Sequence, residues 1–260
     1  MTYSEWAPPP DLAPFVQCCW SAEYDVDGPG HTVLPDGCID VLFTRGETCG
    51  AIVAGAMTVP LHVRATGMNV LAVRFRPGCA RPFLRDDAVR FTDEVVALAD
   101  VRRDGAAFAE RLQNMPHAER RDEIAAYLRT AYAGAVVPGA VRRAIGRFAS
   151  STIVDADVCD ALGVTRQTLA RSFRAHVGLT PKTYARVMRM QRAVTALRGA
   201  AFALADVALA CGYSDEAHLA NEFRRLTGTT PNGFRAVRSA TRTGCGPSLR
   251  RSWSAGRARA

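Results

Sequence analysis

An internal repeat constrains this chain more than any other feature. DVCDALGVTRQTLARSFRAHVGLTP, residues 157–181, realigns with DVALACGYSDEAHLANEFRRLTGTTP, residues 206–231, at an offset of 49 positions before an internal turn and 50 after it. Asp157 matches Asp206, Gly163 matches Gly212, Leu169 matches Leu219, Phe173 matches Phe223 and Pro181 matches Pro231, so one extra residue sits in the second turn. Each copy predicts a short amphipathic helix, a glycine-containing turn and a second helix, which is helix-turn-helix grammar. Gly163 and Gly212 stand where the first helix ends in a left-handed residue. Thr165 and Ser214 read as N-caps of the second helices, and Ala161 and Ala210 as small side chains that let two helices cross closely. Asp215 and Glu216 then fall in a first turn, where negative charge suits the positive end of the helix dipole.

Placing Leu169 and Phe173 inward at helical spacing leaves Gln167, Arg171 and Arg174 on the opposite face. In the second copy, Leu219 and Phe223 inward leave Ala217, Asn221, Arg224 and Arg225 outside. Arg and Gln can bond base edges bidentately, and Asn can do so to adenine. Between the copies, PKTYARVMRMQRAVTAL, residues 181–197, starts with Pro and has no interior Gly or Pro. It reads as a helix of roughly 25 Å at about 1.5 Å per residue, able to hold two reading helices near one DNA turn apart, about 34 Å.

Charge divides in the same way. Residues 1–150 carry 16 basic and 18 acidic side chains, and residues 151–260 carry 17 and 7. A positive C-terminal half beside a near-neutral N-terminal half is the footprint of a polyanion-binding module attached to something else. Nucleic acid is the leading partner, ahead of an anionic membrane surface. No apolar run approaches the roughly 18–20 residues that span a bilayer, and MTYSEWAPPPDL has no signal-peptide pattern, so the expected location is the cytoplasm and no membrane partner is expected.

GYSDEAHLANEFRRLTGTTPNGFR and its upstream copy resemble the DNA-binding domain of AraC/XylS-type transcriptional regulators over about residues 140–238. The tandem units, the long linker helix and the ending GTTPNGFR, which fits a G-x-[ST]-P-x-x-[FY]-R pattern, carry the resemblance. It implies a bacterial regulator that binds double-stranded promoter DNA through both units and contacts or blocks RNA polymerase. Base contact is assigned to Arg166, Gln167 and Arg171 in unit one and to Glu216, Ala217 and Asn221 in unit two. Thr165, Arg174, Lys182, Ser214, Arg224, Arg225 and Thr230 are assigned to phosphate, which positions without specifying. Asn221 aligns with Arg171 where the family often carries Arg, so unit one is expected to dominate readout, with Arg224 and Arg225 anchoring unit two.

From residue 16 to 76, short strands alternate with turn signals about every 8–12 residues, which suggests a β-sandwich or small barrel. Near residue 79 the period changes, and 92–101, 105–114 and 118–133 read as helices. PDLAPFVQCCW, LPDGCIDVLF, AVRFRPG and FTDEVVAL are similar to a small-barrel domain found before such DNA-binding domains. That similarity implies a cupin-like domain sensing a small-molecule effector, and a helical linker or dimerisation segment through which a homodimer would form. Asp36, Cys38, Asp40, Arg74 and Arg76 are the candidate effector-site residues. For the two arginines, on one side of a strand, an outward solvated face is the simpler reading. His31 and His62 are too isolated for a metal site with Asp36, Cys38 and Asp40, so neither metal nor other cofactor is expected.

The eight cysteines include no CxxC pair, and most read as small buried hydrophobes. They also lack the tight four-cysteine pattern of a zinc-bound methyl acceptor. No GxSxG, GxxxxGK[ST] or HExxH motif occurs, so no catalytic residue is assigned and the chain is not expected to be an enzyme. A small-molecule or thiol-redox sensor with vestigial DNA binding is the competing reading. The expected fold class is α+β: a β-rich sensor domain at 1–90, a helical connector at 91–137, an all-α tandem helix-turn-helix domain at 138–238 and a disordered basic tail at 239–260.

Overall fold

A computed structural model describes residues 1–26, 28, 30–46, 50–64, 67–116, 118–150, 157–199, 202–236 and 241–243. The chain opens with β1 (Thr2–Trp6), β2 (Val16–Glu23), β3 (His31–Leu34), β4 (Ile39–Arg45), β5 (Gly50–Ala54), β6 (Leu61–Val63) and β7 (Asn69–Phe75). β2 to β7 lie within the segments read as strands. β1 was not anticipated. It pairs antiparallel with β2, from Thr2 opposite Glu23 to Trp6 opposite Cys19.

After β7 come α1 (Arg81–Leu84), a 3-10 turn (Ala88–Phe91), β8 (Val95–Ala97), α2 (Leu98–Val101), α3 (Gly105–Asn114) and α4 (Arg120–Tyr132). The helix expected over 92–101 is thus split. Val95 and Val96 form an edge strand on β5, Val96 opposite Val53, and the helix starts only at Leu98. Sheet pairing offers two β-branched residues a better partner than a helical turn does.

The main sheet has six strands in the order β1-β2-β7-β4-β5-β8, all pairs antiparallel. It ends at β1 and β8, so it is an open sheet and not the closed small barrel that the spacing suggested. A bulge between Val16 and Cys18 shifts the register of β2 against β7. Val16 therefore points into the main core with Val41, Val73 and Phe75, while Cys18, Trp20 and Ala22 face the other side with Val70 and Ala72. Helices α3 and α4 cover the first face through a ring of aromatics: Phe108 stacks on Tyr127 at 3.7 Å, and Phe75 meets Phe83 and Tyr132. A second sheet has the order β6-β3-β9, where β9 (Thr241–Thr243) lies parallel to β3. Those three residues of the tail are a strand and not disordered; the rest of the tail lies outside the described residues.

The C-terminal half is helical: α5 (Gly139–Ser150), α6 (Asp157–Leu162), α7 (Arg166–Val177), α8 (Pro181–Arg198), α9 (Leu204–Cys211), α10 (Glu216–Thr227) and α11 (Pro231–Ala236). It does not stand apart. One continuous core runs from Leu12 and Val16 to Phe223 and Phe234. Thr92 Oγ1 donates to the Gly178 carbonyl at 2.7 Å, and Gln191 Nε2 on α8 donates to the Pro35 carbonyl at 2.6 Å. Beside Pro35, Gly37 has φ +76°, and a Cβ built there would lie 2.6 Å from the Tyr184 ring.

Gly37→Ala therefore meets both a left-handed backbone and a packed aromatic ring. The left-handed residue alone costs about 1–3 kcal/mol, so a clear fall in thermal midpoint is expected. An unchanged midpoint would mean that α8 does not press on this turn.

Candidate nucleic-acid interface

Both repeats fold as paired helices. In unit one α6 ends at Gly163, φ +65°, and α7 follows; in unit two α9 ends at Gly212, φ +83°, and α10 follows. The two left-handed glycines are where the repeat placed them. Leu169, Phe173, Leu219 and Phe223 are all buried. Ala161 and Ala210, however, are exposed. The residues buried on these first helices are instead Val158 and Leu162 in unit one and Val207, Ala208 and Cys211 in unit two. A small residue beside a turn fits the surface as well as a helix crossing, and spacing alone did not separate the two.

The cap of α7 is Thr165, whose hydroxyl accepts from the Thr168 N–H at 3.1 Å. The cap of α10 is Asp215 and not Ser214: its carboxylate accepts from the His218 N–H at 2.7 Å, and Ser214 Oγ donates to Asp215 at 2.9 Å. The offset of 50 that matches Leu169 to Leu219 carries Thr165 onto Asp215, so Ser214 is the extra residue of the second turn. The His218 N–H and the Ser214 hydroxyl hold the Asp215 carboxyl below the usual carboxylate range. That carboxylate sets the helix.

Arg166, Gln167, Arg171 and Arg174 on α7, Lys182 on α8, and Glu216, Ala217, Asn221, Arg224 and Arg225 on α10 are all exposed. Among the described residues, the guanidinium groups of the five arginines of that set make no hydrogen bond or ion pair, although the fold forms several such bonds with other arginines. Thr230 differs: half-buried, its hydroxyl accepts from the Gly233 N–H at 3.0 Å and caps α11. Sequence reasoning also missed Glu222 on α10. Its Oε1 accepts from Arg186 Nε, and Arg189 Nη1 lies 3.7 Å from Oε2, so α10 is tied to α8 by charge. The spacing of Lys182, Arg186 and Arg189, i, i+4 and i+7 on one helix face, was the available signal.

The proposed effector residues divide. Arg74 is not on a solvated face; it is 6% exposed and donates to both oxygens of Asp40, at 2.9 and 2.7 Å. Asp36 Oδ2 is 3.5 Å away. Asp40 also accepts from Trp20 Nε1 at 3.2 Å, and Asp36 accepts from the Cys38 N–H at 2.9 Å. Asp40 and Arg74 are register partners on β4 and β7, a pairing between distant segments that periodicity cannot show. Arg76 lies apart, its Nε donating to the Ala13 carbonyl at 2.7 Å. His62 pairs with Thr32 and His31 stacks on Tyr24; among the described residues no group of three metal-ligating side chains is assembled.

Residues 158–236 match the family described as "Helix-turn-helix domain", and residues 4–97 match one described as "Domain of unknown function (DUF6597)". The HTH-type transcriptional activator RhaS of Escherichia fergusonii is 32% identical over 84 residues, 32% of this chain and 30% of that protein. RhaS of Escherichia coli is 34% identical over 91 residues, 35% of this chain and 32% of the other. The chain thus spans about a third of the length of the curated relatives it matches. Among solved structures, an AraC-type DNA-binding domain protein from Chromobacterium violaceum is 27% identical, with a TM-score of 0.35 over 38% of this chain and 92% of that one. ToxT from Vibrio cholerae is 8% identical, with a TM-score of 0.44 over 84% and 97%. The tandem helix-turn-helix units define a DNA-binding domain behind a β-rich one. Over the helix-turn-helix units the chain is similar to AraC/XylS-type regulators.

Burial pushes the Asp36 carboxyl above its usual value, against the pull of Arg74. Ionisation then costs the folded state more than the unfolded one. The associated stability is present below about pH 4, the unfolded value, and is lost as pH rises through the raised folded value. Asp36→Asn cannot ionise and keeps an oxygen for the Cys38 N–H. Thermal midpoints of the two proteins between about pH 4 and pH 8 should therefore shift in favour of the variant as pH rises; a gap independent of pH would contradict a raised Asp36.

Proposed function

We propose that this regulator binds promoter DNA sequence-specifically through both units, in response to a small-molecule effector bound by its N-terminal half. The observation that supports it best is the pair of equivalent helices, α7 and α10, each anchored by a buried Leu and Phe and each presenting unpaired cationic or amide side chains to solvent. Within it, Arg166, Gln167 and Arg171 read bases in unit one, and Glu216, Ala217 and Asn221 do so more weakly in unit two. Arg174, Lys182, Arg224 and Arg225 hold phosphates, as do Thr165 and Ser214 at the helix starts. Thr230 serves only if its hydroxyl can donate to phosphate while it accepts from Gly233.

The division into 1–90, 91–137, 138–238 and a basic tail, RNA polymerase as partner, self-association through the helical segment and a cytoplasmic location are parts of the same proposal. They rest on the resemblance and on the sequence. Among the described residues no helix is long and apolar enough to cross a membrane. The competing thiol-redox reading finds no support in four of the described cysteines. Burial pushes the thiols of Cys18, Cys19, Cys79 and Cys211 up, Cys19 and Cys79 to about 11, which leaves them protonated and weakly nucleophilic. Cys49 and Cys245 lie outside the described residues.

The test is salt-dependent binding to DNA from upstream of its own gene and from cell-wide footprinting. Arg171→Ala should cost about 1–3 kcal/mol on the specific site and relax selectivity at one half-site. Arg224→Ala should weaken specific and random DNA alike and flatten the salt dependence. Equal losses on both kinds of DNA for Arg171→Ala would remove its base-reading role.

A further inference from the structure

The linker helix carries a second cationic feature besides the two reading faces. Lys182, Arg186 and Arg189 lie on one side of α8 and span about 10 Å of its axis. They form one wall of a groove of about 810 Å³ that runs between the two units. Arg166, the first residue of α7, and His218 and Glu222 of α10 also line it. Four cationic side chains thus meet a single carboxylate.

That carboxylate is incompletely used. Glu222 Oε1 takes the Arg186 Nε bond, whereas Oε2 makes no hydrogen bond, its nearest cation being Arg189 Nη1 at 3.7 Å. Arg189 Nε is likewise buried without a hydrogen-bond partner, and its guanidinium rests over Tyr213 at 5.3 Å. Arg186, Arg189 and Glu222 are only 23%, 13% and 14% exposed at their side chains. Two guanidinium groups held by one carboxylate in a place of reduced solvation leave an excess positive charge that an anion completes.

We propose that this groove seats backbone phosphates of double-stranded DNA that engages both units, with Arg186 and Arg189 as phosphate-contacting residues and Glu222 as their built-in counter-charge. The inference rests on the DNA-binding reading above. A duplex read by α7 and α10 in successive major grooves must carry its sugar-phosphate backbone past the protein between them, and α8 is the element that lies there. In free protein Glu222 neutralises part of the wall and pins α10 to α8. On DNA the phosphates share the two arginines with it, so Glu222 tempers affinity for DNA of any sequence.

Full-length protein is titrated with a duplex containing its mapped site and with a random duplex long enough to span both units, between about 50 and 200 mM salt. Glu222→Gln is expected to bind both duplexes at least threefold more tightly at the low-salt end, with a steeper salt slope. Arg189→Gln is expected to bind both more weakly, with a slope shallower by about 0.9, the value of one phosphate contact. The double variant R186Q/E222Q removes one charge of each sign and should return the slope to near that of the parent. Thermal unfolding of each variant separates binding from folding. Glu222→Gln binding no more tightly than the parent overturns the proposal, whether its thermal midpoint is native or lowered; in the latter case the ion pair is only a pin for α10. These results leave the DNA-binding reading standing, because Arg171→Ala still distinguishes specific from random DNA. Absence of any salt-sensitive binding by the parent protein removes both.

Discussion

The packing around Tyr184 is what the rest of the structure depends on. This residue of α8 is 1% exposed, and its ring meets Phe173 of α7 at 5.7 Å and Phe148 of α5 at 6.5 Å. On its other side it presses on Gly37. One side chain therefore joins the linker helix, the first reading unit and the β-rich half. A buried aromatic of this size is worth about 3–5 kcal/mol against its removal, a large part of the stability of an ordinary domain. Further along α8, Met190, Ala193, Val194 and Leu197 are also buried, in the helix against which α9, α10 and α11 pack. The linker is thus a shared core element and not a tether.

That arrangement treats the two units differently. Unit one is built into the N-terminal body: Thr92 bonds to Gly178 at the end of α7, and a Cβ at Gly78 would lie 2.9 Å from Ile145 of α5 and 3.7 Å from Val177 of α7. Unit two packs on α8 and meets the β-rich half at its end: a Cβ at Gly228, after α10, would lie 3.6 Å from Pro60, and β9, beyond α11, pairs with β3. The contacts that reach unit one lie on the C-terminal end and inner side of α7, so Arg166, Gln167 and Arg171 remain exposed. The described residues of the β-rich half do not cover this face. What the β3–β4 turn does touch is α8, through Pro35 and Gly37.

The parts legible in the sequence were those whose cause is local. Helical period, a glycine at a left-handed position and Pro181 at a helix start depend on neighbours within a turn, and the two units and the linker helix followed from them. Errors came where the deciding partner was distant. Arg74 looked like a solvated strand residue until β4 brought Asp40 opposite it, and Val95 and Val96 looked helical until β5 offered an edge. The spacing left sandwich and small barrel open, and the barrel alternative fell because closure depends on which strands pair, while alternation is the same in both. Asp215 was a different kind of error. The offset of the repeat contained the answer, but cap preference alone favoured Ser214 about equally. Among the site residues the exposed faces of α7 and α10 were legible, because the buried Leu and Phe determine them. The Arg186–Glu222–Arg189 cluster was not, because it exists only when α10 lies on α8.

The asymmetry between the units has a physical consequence for the proposed readout. Arg171 and Asn221 occupy matched places on exposed helix faces, and both are free of internal partners among the described residues. A guanidinium brings charge and a bidentate fork; a carboxamide brings only the fork, and its pair with adenine gains nothing from the phosphate field. In the proposed readout unit two therefore draws electrostatic support from elsewhere, and the cations on or beside α10 include Arg224 and Arg225 on the helix itself and Arg186 and Arg189, which meet Glu222 from α8. Phosphate contacts of that kind hold a helix in the groove without choosing a sequence. In the proposed readout, unit one selects the site and unit two contributes affinity through these cations.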